Sequence, residues 1–443
     1  MAALGLILAL GRWIGRRLQL RLWGIPEALV AGLLGLLLAP AGPLPLLPPA
    51  VMELWANLPL VLLTLVFGAL LLGKPLPKLQ GLWRPVSGQV CLALVLAFGQ
   101  FVVGGLAVLL VLQPWLGVSP VMACLIEVAY EGGHGSAAAM GPSYAALGFP
   151  GGLDLGLAMA TVGLLSSTLA GGLLVVLGRR RGWLLETAAA TSTDPPTVVP
   201  GGGIGGNNRG RSALQTAAAW AVNLALVGAA VLVGVVLLAG LRLVSAPLGA
   251  GVALVVDALP VFPLAIVGSL LVRWLLEQTG CSHWAEPAIQ SEVGTLSADL
   301  LITAATAGLN LALLQHDWLP LSVLAAAGLA WNLGITLALA PRLLPADWFE
   351  RAVIEFGQAT GVAASGLLLL RMADPDDRSE ALPAFSIKQL LLQPFLAGGV
   401  VTVVAPLAIN SWGLPIWTGL CLVAVLLASG GGLLLARLQP AAP

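Results

Sequence analysis

Two short stretches of this chain carry residue types that could hold ions: Glu131-Gly132-Gly133-His134-Gly135-Ser136, and Gln358-Ala359-Thr360-Gly361. Both mix small residues with hydrogen-bonding side chains. Glycine opens backbone dihedrals closed to other residues and lets a ligand come close to main-chain N–H groups. A helix beginning just after such a turn would aim its free N–H groups and positive dipole end into it, which suits a carboxylate. Glu127 and Glu355 precede the two turns. A carboxylate beside the free carbonyls that end a helix suits a hard monovalent cation such as sodium. Thr161 and Asp299, in neighbouring apolar runs, complete the candidate cation set. Each residue also has a plainer reading. His134 could brace its turn, Ser136 could cap the returning helix, and the three carboxylates Glu127, Glu355 and Asp299 could knit helices together.

The elements that must position these groups are set by composition. The chain has 443 residues, 58% hydrophobic and 9% charged, with a mean hydropathy of +0.98. A soluble domain with so little polar residue content could not cover its surface. Apolar runs of about 20 residues, enough to cross roughly 30 Å of hydrocarbon, predict spans at 2–20, 24–43, 54–73, 86–112, 154–178, 213–240, 253–275, 290–314, 318–341, 386–410 and 413–437. The runs lack the alternation of outer-membrane strands. Residues 118–147 and 347–372 remain apolar but are interrupted by the two polar turns, as two half-length helices would be. The four cysteines fit neither a metal site nor a disulfide framework. A zero net charge gives no sign of nucleic acid. The only cluster that could do chemistry near the interface, His283 with Glu286, has no recognisable motif, so no enzyme is expected.

With the N-terminus outside, every one of the 20 basic residues except Arg242 falls on the inner side, a positive-inside pattern. That sidedness makes 118–147 enter from outside and 347–372 from inside. Aligning "IEVAYEGGHGSAAA" at Ile126 with "IEFGQATGVAASGL" at Ile354 puts Glu127 on Glu355 and Gly133 on Gly361. The expected fold class is therefore an all-α polytopic membrane protein of two inverted repeats. Each repeat has about five transmembrane helices and one re-entrant helical hairpin. Residues 1–178 form the first repeat, 179–212 a flexible cytoplasmic linker rich in Pro, Gly, Ser and Thr, 213–410 the second repeat, and 411–443 an added helix and tail. Broken helices at the interface of inverted repeats are the plan of ion-coupled secondary transporters.

The turn Gly132-Gly133-His134-Gly135-Ser136-Ala137 and the run Ala160-Thr161-Val162-Gly163-Leu164, within "DLGLAMATVGLLSSTLAGG", resemble the bacterial sodium/glutamate symporter family. The resemblance implies sodium-driven uptake of glutamate or a related acidic amino acid, a homodimer in the bacterial inner membrane, and an elevator-like motion of the hairpin-bearing part. It implies no cofactor beyond sodium as coupling ion. The second turn, "FGQATG", lacks the Thr-Pro pair of the family pattern. A sodium- or proton-coupled carrier of another carboxylate, of dicarboxylate or citrate type, is the alternative.

Overall fold

The computed structural model describes residues 2–18, 27–40, 42–73, 83–185, 213–245, 247, 256, 261–308, 316–375 and 378–438. Most of the expected linker, Asp257 and Asn310 lie outside the described residues. Every regular element among the described residues is helical. Six helical stretches are long and apolar enough, by length and composition, to cross a membrane: Val86–Leu116, Gly152–Arg181, Leu214–Ser245, Trp318–Leu343, Trp348–Ala373, which is broken within its length, and Leu414–Leu438. Their outward faces carry large apolar side chains, such as Leu420 and Leu427 on the last helix and Leu232 and Val236 on the third. Lipid, not water, is the solvent for such faces. Trp115, Trp318 and Trp412 are exposed near helix ends, as interface anchors are. Trp55, also close to a helix end, is wholly buried instead.

The chain forms two compact units. One comprises residues 1–59, 78–185 and 301–443, the other residues 60–77 and 186–300. In the second unit, Ala213–Ser245 packs along Phe262–Gln278. Small residues bring the two backbones together: a side chain at Gly234 would meet the backbone of Ala265, and one at Gly268 that of Ala230. Close approach through small residues is the usual way helices associate in lipid. Asn223 accepts from the Glu286 amide and from Gln290 Nε2. Asp299 belongs to this unit.

The first unit holds both polar turns. Its Trp83–Ala107 helix continues through a π-helical turn, Val108–Leu112, to Leu116. Leu414–Leu438 packs along it, with Gly105 against Thr418 and Gly432 against Cys91. The last helix is thus part of the packed unit. Pro120–Cys124 and Leu125–Tyr130 form one limb of a broken segment, and Gly133–Ala146 forms the other. The limbs double back. Leu125 Cδ2 and Ala137 Cβ lie 3.8 and 3.1 Å from the point where Gly156 would carry a Cβ, although 12 residues of straight helix rise about 18 Å. Trp348–Ala373 breaks at Gly361 and Val362, whose dihedrals are not helical. A Cβ on Gly357 would fall 2.6 Å from the Gly366 nitrogen. In an unbroken helix those residues are about 14 Å apart, so this segment also folds back.

Three points of local structure bear on the sequence-based expectation. The first returning helix resumes at Gly133 rather than Ser136. Within the run 24–43 the described residues form a 12-residue helix, Glu27–Leu38, about 18 Å long. The expected span 386–410 is two helices, Ala381–Leu392 and Val400–Trp412, parted at residues 393–399. Ala397 and Gly398 there have positive φ, 54° and 95°, and Pro394 removes a donor.

Candidate functional site

The two fold-backs meet. Gly133 has φ +69° and Val362 has φ +68°, and a side chain on Gly133 would collide with Val362 Cγ1. Each residue stands at the start of a returning helix. The first-turn N–H groups of both helices lack intrahelical acceptors, and their positive dipole ends lie together. Gly152–Arg181 closes one side of this junction. A Cβ on Gly163 would fall 2.5 Å from the Thr360 carbonyl and 2.6 Å from the Tyr130 ring, and one on Gly361 would fall 2.6 Å from Ser167 Cβ. Further along the same helix Gly171 packs on Leu369 and Gly178 on Phe349.

His134, on the first turn of its helix, is buried, and its Nε2 lies 2.9 Å from Thr161 Oγ1. The Thr161 hydroxyl donates to the Leu157 carbonyl at 3.0 Å. It therefore accepts from His134 Nε2–H, and the network assigns Nδ1 as the free acceptor. Ser136 Oγ is buried with no protein partner. Glu127 is wholly buried. Its Oε1 accepts from the Ala397 amide at 3.2 Å and from Thr402 Oγ1 at 2.9 Å, whereas Oε2 has no protein donor. Glu131 Oε2 is also buried without a partner, within electrostatic reach of Glu127, Lys388 and Glu355.

Around the second break the main chain before the turn is already engaged. The Ala359 carbonyl accepts from Gln100 Nε2 at 2.6 Å and Asn332 Nδ2 at 2.9 Å. Thr360 Oγ1 accepts from Asn332 Nδ2 at 3.0 Å, and Ser167 Oγ donates to the Gly357 carbonyl at 3.1 Å. Glu355 has both oxygens occupied. Gln89 Nε2 donates to Oε1 at 2.8 Å, and Lys388 Nζ lies 2.8 Å from Oε2. The ammonium thus stands where the sequence-based reading set a sodium ion. Lys388 is not a cytoplasmic anchor: its side chain is 1% exposed. It also donates to Gln358 Oε1 at 2.9 Å and Gln389 Oε1 at 3.1 Å.

The structure thus brings together Glu127, Glu131, Gly132, Gly133, His134, Gly135, Ser136 and Thr161 with Glu355, Gln358, Ala359, Thr360 and Gly361. Asp299 lies in the other unit. Residues the sequence reading missed are Lys388, Gln89, Gln100, Gln389, Gln393, Val362 and Thr402. A lone lysine within an apolar run was the readable signal for the first. Gln389 Nε2 donates to Gln393 Oε1 at 3.0 Å and Gln393 Nε2 to the Ala397 carbonyl at 3.2 Å. With the Ala397 amide on Glu127, a relay of amides joins the Lys388 and Glu127 sites.

Helices broken where buried charge gathers, within a bundle whose outer faces suit lipid, define a multi-pass helical membrane protein with a polar centre. The sodium/glutamate symporter profile matches residues 1–357, and the chain belongs to that family. No curated protein and no solved structure matches it. Sodium-coupled glutamate transport is the activity that the family implies. The match ends at Gly357, so Gln358–Gly361 and Lys388 lie beyond it.

Proposed function

We propose that this chain is a sodium-coupled secondary symporter of glutamate or a closely related acidic amino acid. The observation that carries the reading is the junction of Gly133 and Val362, where two helix starts meet. Their combined N–H groups and dipole ends would hold a substrate carboxylate, because unsatisfied N–H groups in an apolar interior otherwise cost several kcal/mol each. His134 Nδ1 would accept from the substrate ammonium, and Ser136 Oγ would supply a further hydrogen bond. Glu127 Oε2, Glu131 Oε2 and nearby carbonyls would hold sodium. Sodium there would neutralise buried charge and favour closure over an anionic substrate.

In this reading the two fold-backs are re-entrant hairpins from opposite leaflets, related by an inverted repeat. The order of elements supports it: a long helix and a broken segment recur as Trp83–Leu116 with Pro120–Ala146, and as Trp318–Leu343 with Trp348–Ala373. The N-terminus lies outside and the 179–212 linker in the cytoplasm of a bacterial cell. The unit bearing the broken segments moves in the manner of an elevator within a homodimer. A second reading, a carrier of another carboxylate, is favoured by one fact: Gln358–Gly361, half of the proposed substrate seat, lies outside the family match.

Uptake of labelled glutamate into proteoliposomes under an imposed sodium gradient tests the proposal, with a proton gradient and a panel of dicarboxylates and citrate as comparisons. Sodium-driven glutamate uptake that His134→Ala abolishes, with folding intact, is expected. Uptake that ignores sodium would remove the coupling, and preference for citrate or a dicarboxylate would favour the second reading.

A further inference from the structure

We infer that Lys388 is a tethered cation, filling at Glu355 the place that an exchangeable coupling ion would otherwise take. Its ammonium has three N–H donors and meets three oxygens: Glu355 Oε2 at 2.8 Å, Gln358 Oε1 at 2.9 Å and Gln389 Oε1 at 3.1 Å. The Phe385 ring centroid lies 4.3 Å from Nζ, a cation–π distance. The cage is built to present oxygen. Gln358 Nε2 is spent on Gln389 Oε1, and Gln389 Nε2 is spent on Gln393. Both amides are thereby oriented with their oxygens toward the ammonium. Gln89 holds the other oxygen of Glu355 in place. Oxygen ligands of one carboxylate and two amides, with no competing donor, are the set a small monovalent cation takes.

The contrast with the first fold-back sharpens the inference. Glu127 and Glu131 each keep a buried oxygen with no protein partner, so their charge is left to ions or protons from outside. Glu355 alone is compensated by the chain itself. The second fold-back therefore binds no coupling ion, and the cycle carries one cation fewer than it would with both carboxylates open. Truncating Lys388 empties the cage and converts it into an additional ion site.

The inference rests on the transport reading for its consequence but not for its first test, which is thermal unfolding of the purified full chain in detergent. Lys388→Ala, Glu355→Gln/Lys388→Ala and wild type are compared in choline, sodium and methylammonium chlorides. In choline, Lys388→Ala melts several degrees below wild type. Sodium or methylammonium then raises its Tm, saturably, by about twice the wild-type increment, since each added site contributes its own RT ln(1 + [L]/Kd). The double variant regains stability in choline and loses the extra response. Should Lys388→Ala not fold, Lys388→Gln is measured in the same series. In proteoliposomes, uptake by Lys388→Ala depends on sodium more steeply than in wild type. Equal cation responses in the lysine variant and wild type would overturn the inference. If wild type shows no sodium-driven uptake while the variant still gains the cation response, the transport reading falls and the cage stands.

Discussion

Glu127→Gln is the sharpest single perturbation of the proposed sodium site. The carboxylate is wholly buried, with two donors on Oε1 and none on Oε2. The amide oxygen of glutamine can keep both donors, from Ala397 and Thr402. Its NH2 group then takes the place of Oε2 and, having no acceptor there, costs about 1–3 kcal/mol. Against that, the substitution removes a buried charge whose uncompensated desolvation costs several kcal/mol. In a sodium-free buffer the variant should therefore be at least as stable as wild type. Sodium reverses the order. At one hundred times its dissociation constant, sodium bound only to the folded wild type adds about 2.7 kcal/mol, and the variant lacks that gain. The assay is thermal unfolding in detergent across a sodium titration at constant ionic strength, with sodium-driven glutamate uptake measured in parallel. A variant that keeps the full sodium-induced rise in Tm, or that transports with an unchanged sodium dependence, would refute the assignment of Glu127 to the ion.

Two further outcomes follow from the geometry. Gly133→Ala places a side chain at φ +69° against Val362; the dihedral alone costs about 1–2 kcal/mol. Uptake should fall at least tenfold and recover in part when Val362→Gly relieves the collision, which parallel uptake assays would show. Asp374, just beyond the second fold-back, accepts the amides of Arg378 and Ser379 at 2.9 and 2.8 Å. Burial pushes its carboxyl up, but the Ser379 hydroxyl, these amides and the Arg378 charge together hold it below the ordinary carboxylate range. Its contribution to stability is thus complete above the ordinary carboxylate pKa and is lost as pH falls through the depressed value. Asp374→Asn should lower the unfolding midpoint near neutrality, where that contribution is complete, and flatten the acid limb, so that the variant and wild type converge at low pH in a series of unfolding midpoints.

What could be read from the sequence, and what could not, divides along physical lines. Glycines at polar turns within apolar runs report backbone needs directly, so aligning Ile126 with Ile354 set Gly133 on Gly361, and the left-handed residues are Gly133 and the neighbour of Gly361, Val362. Hydropathy, which located the spans, does not register backbone breaks. The run 386–410 stayed apolar across Pro394 and Gly398 and looked continuous. In the sequence Lys388 counts with the basic residues of the inner side, because its pairing with Glu355 is tertiary and leaves no mark on the local sequence. Gln89 and Gln100 lie in the run 86–112 with no motif around them, and only the folded arrangement aims them at Glu355 and the Ala359 carbonyl.

The charge distribution gives the two fold-backs different tasks. Around the two breaks the buried acidic side chains Glu127, Glu131 and Glu355 gather, and Lys388 is paired with Glu355. Near a closed, apolar centre a remaining negative charge is stable only when a cation or proton accompanies it. The uncompensated pair sits on the limb and turn of the first segment, next to His134 and the Gly133 helix start. Loading that segment with sodium would remove the repulsion an anionic substrate meets at the junction. On the proposed reading the second segment would need no such loading, because Lys388 is its counter-ion. Ion binding and substrate binding would then be linked through the Gly133–Val362 contact. Sodium would raise substrate affinity, and by reciprocity substrate would raise sodium affinity by the same factor. Such linkage follows from charge neutrality at one junction and requires no coupling path through the rest of the fold.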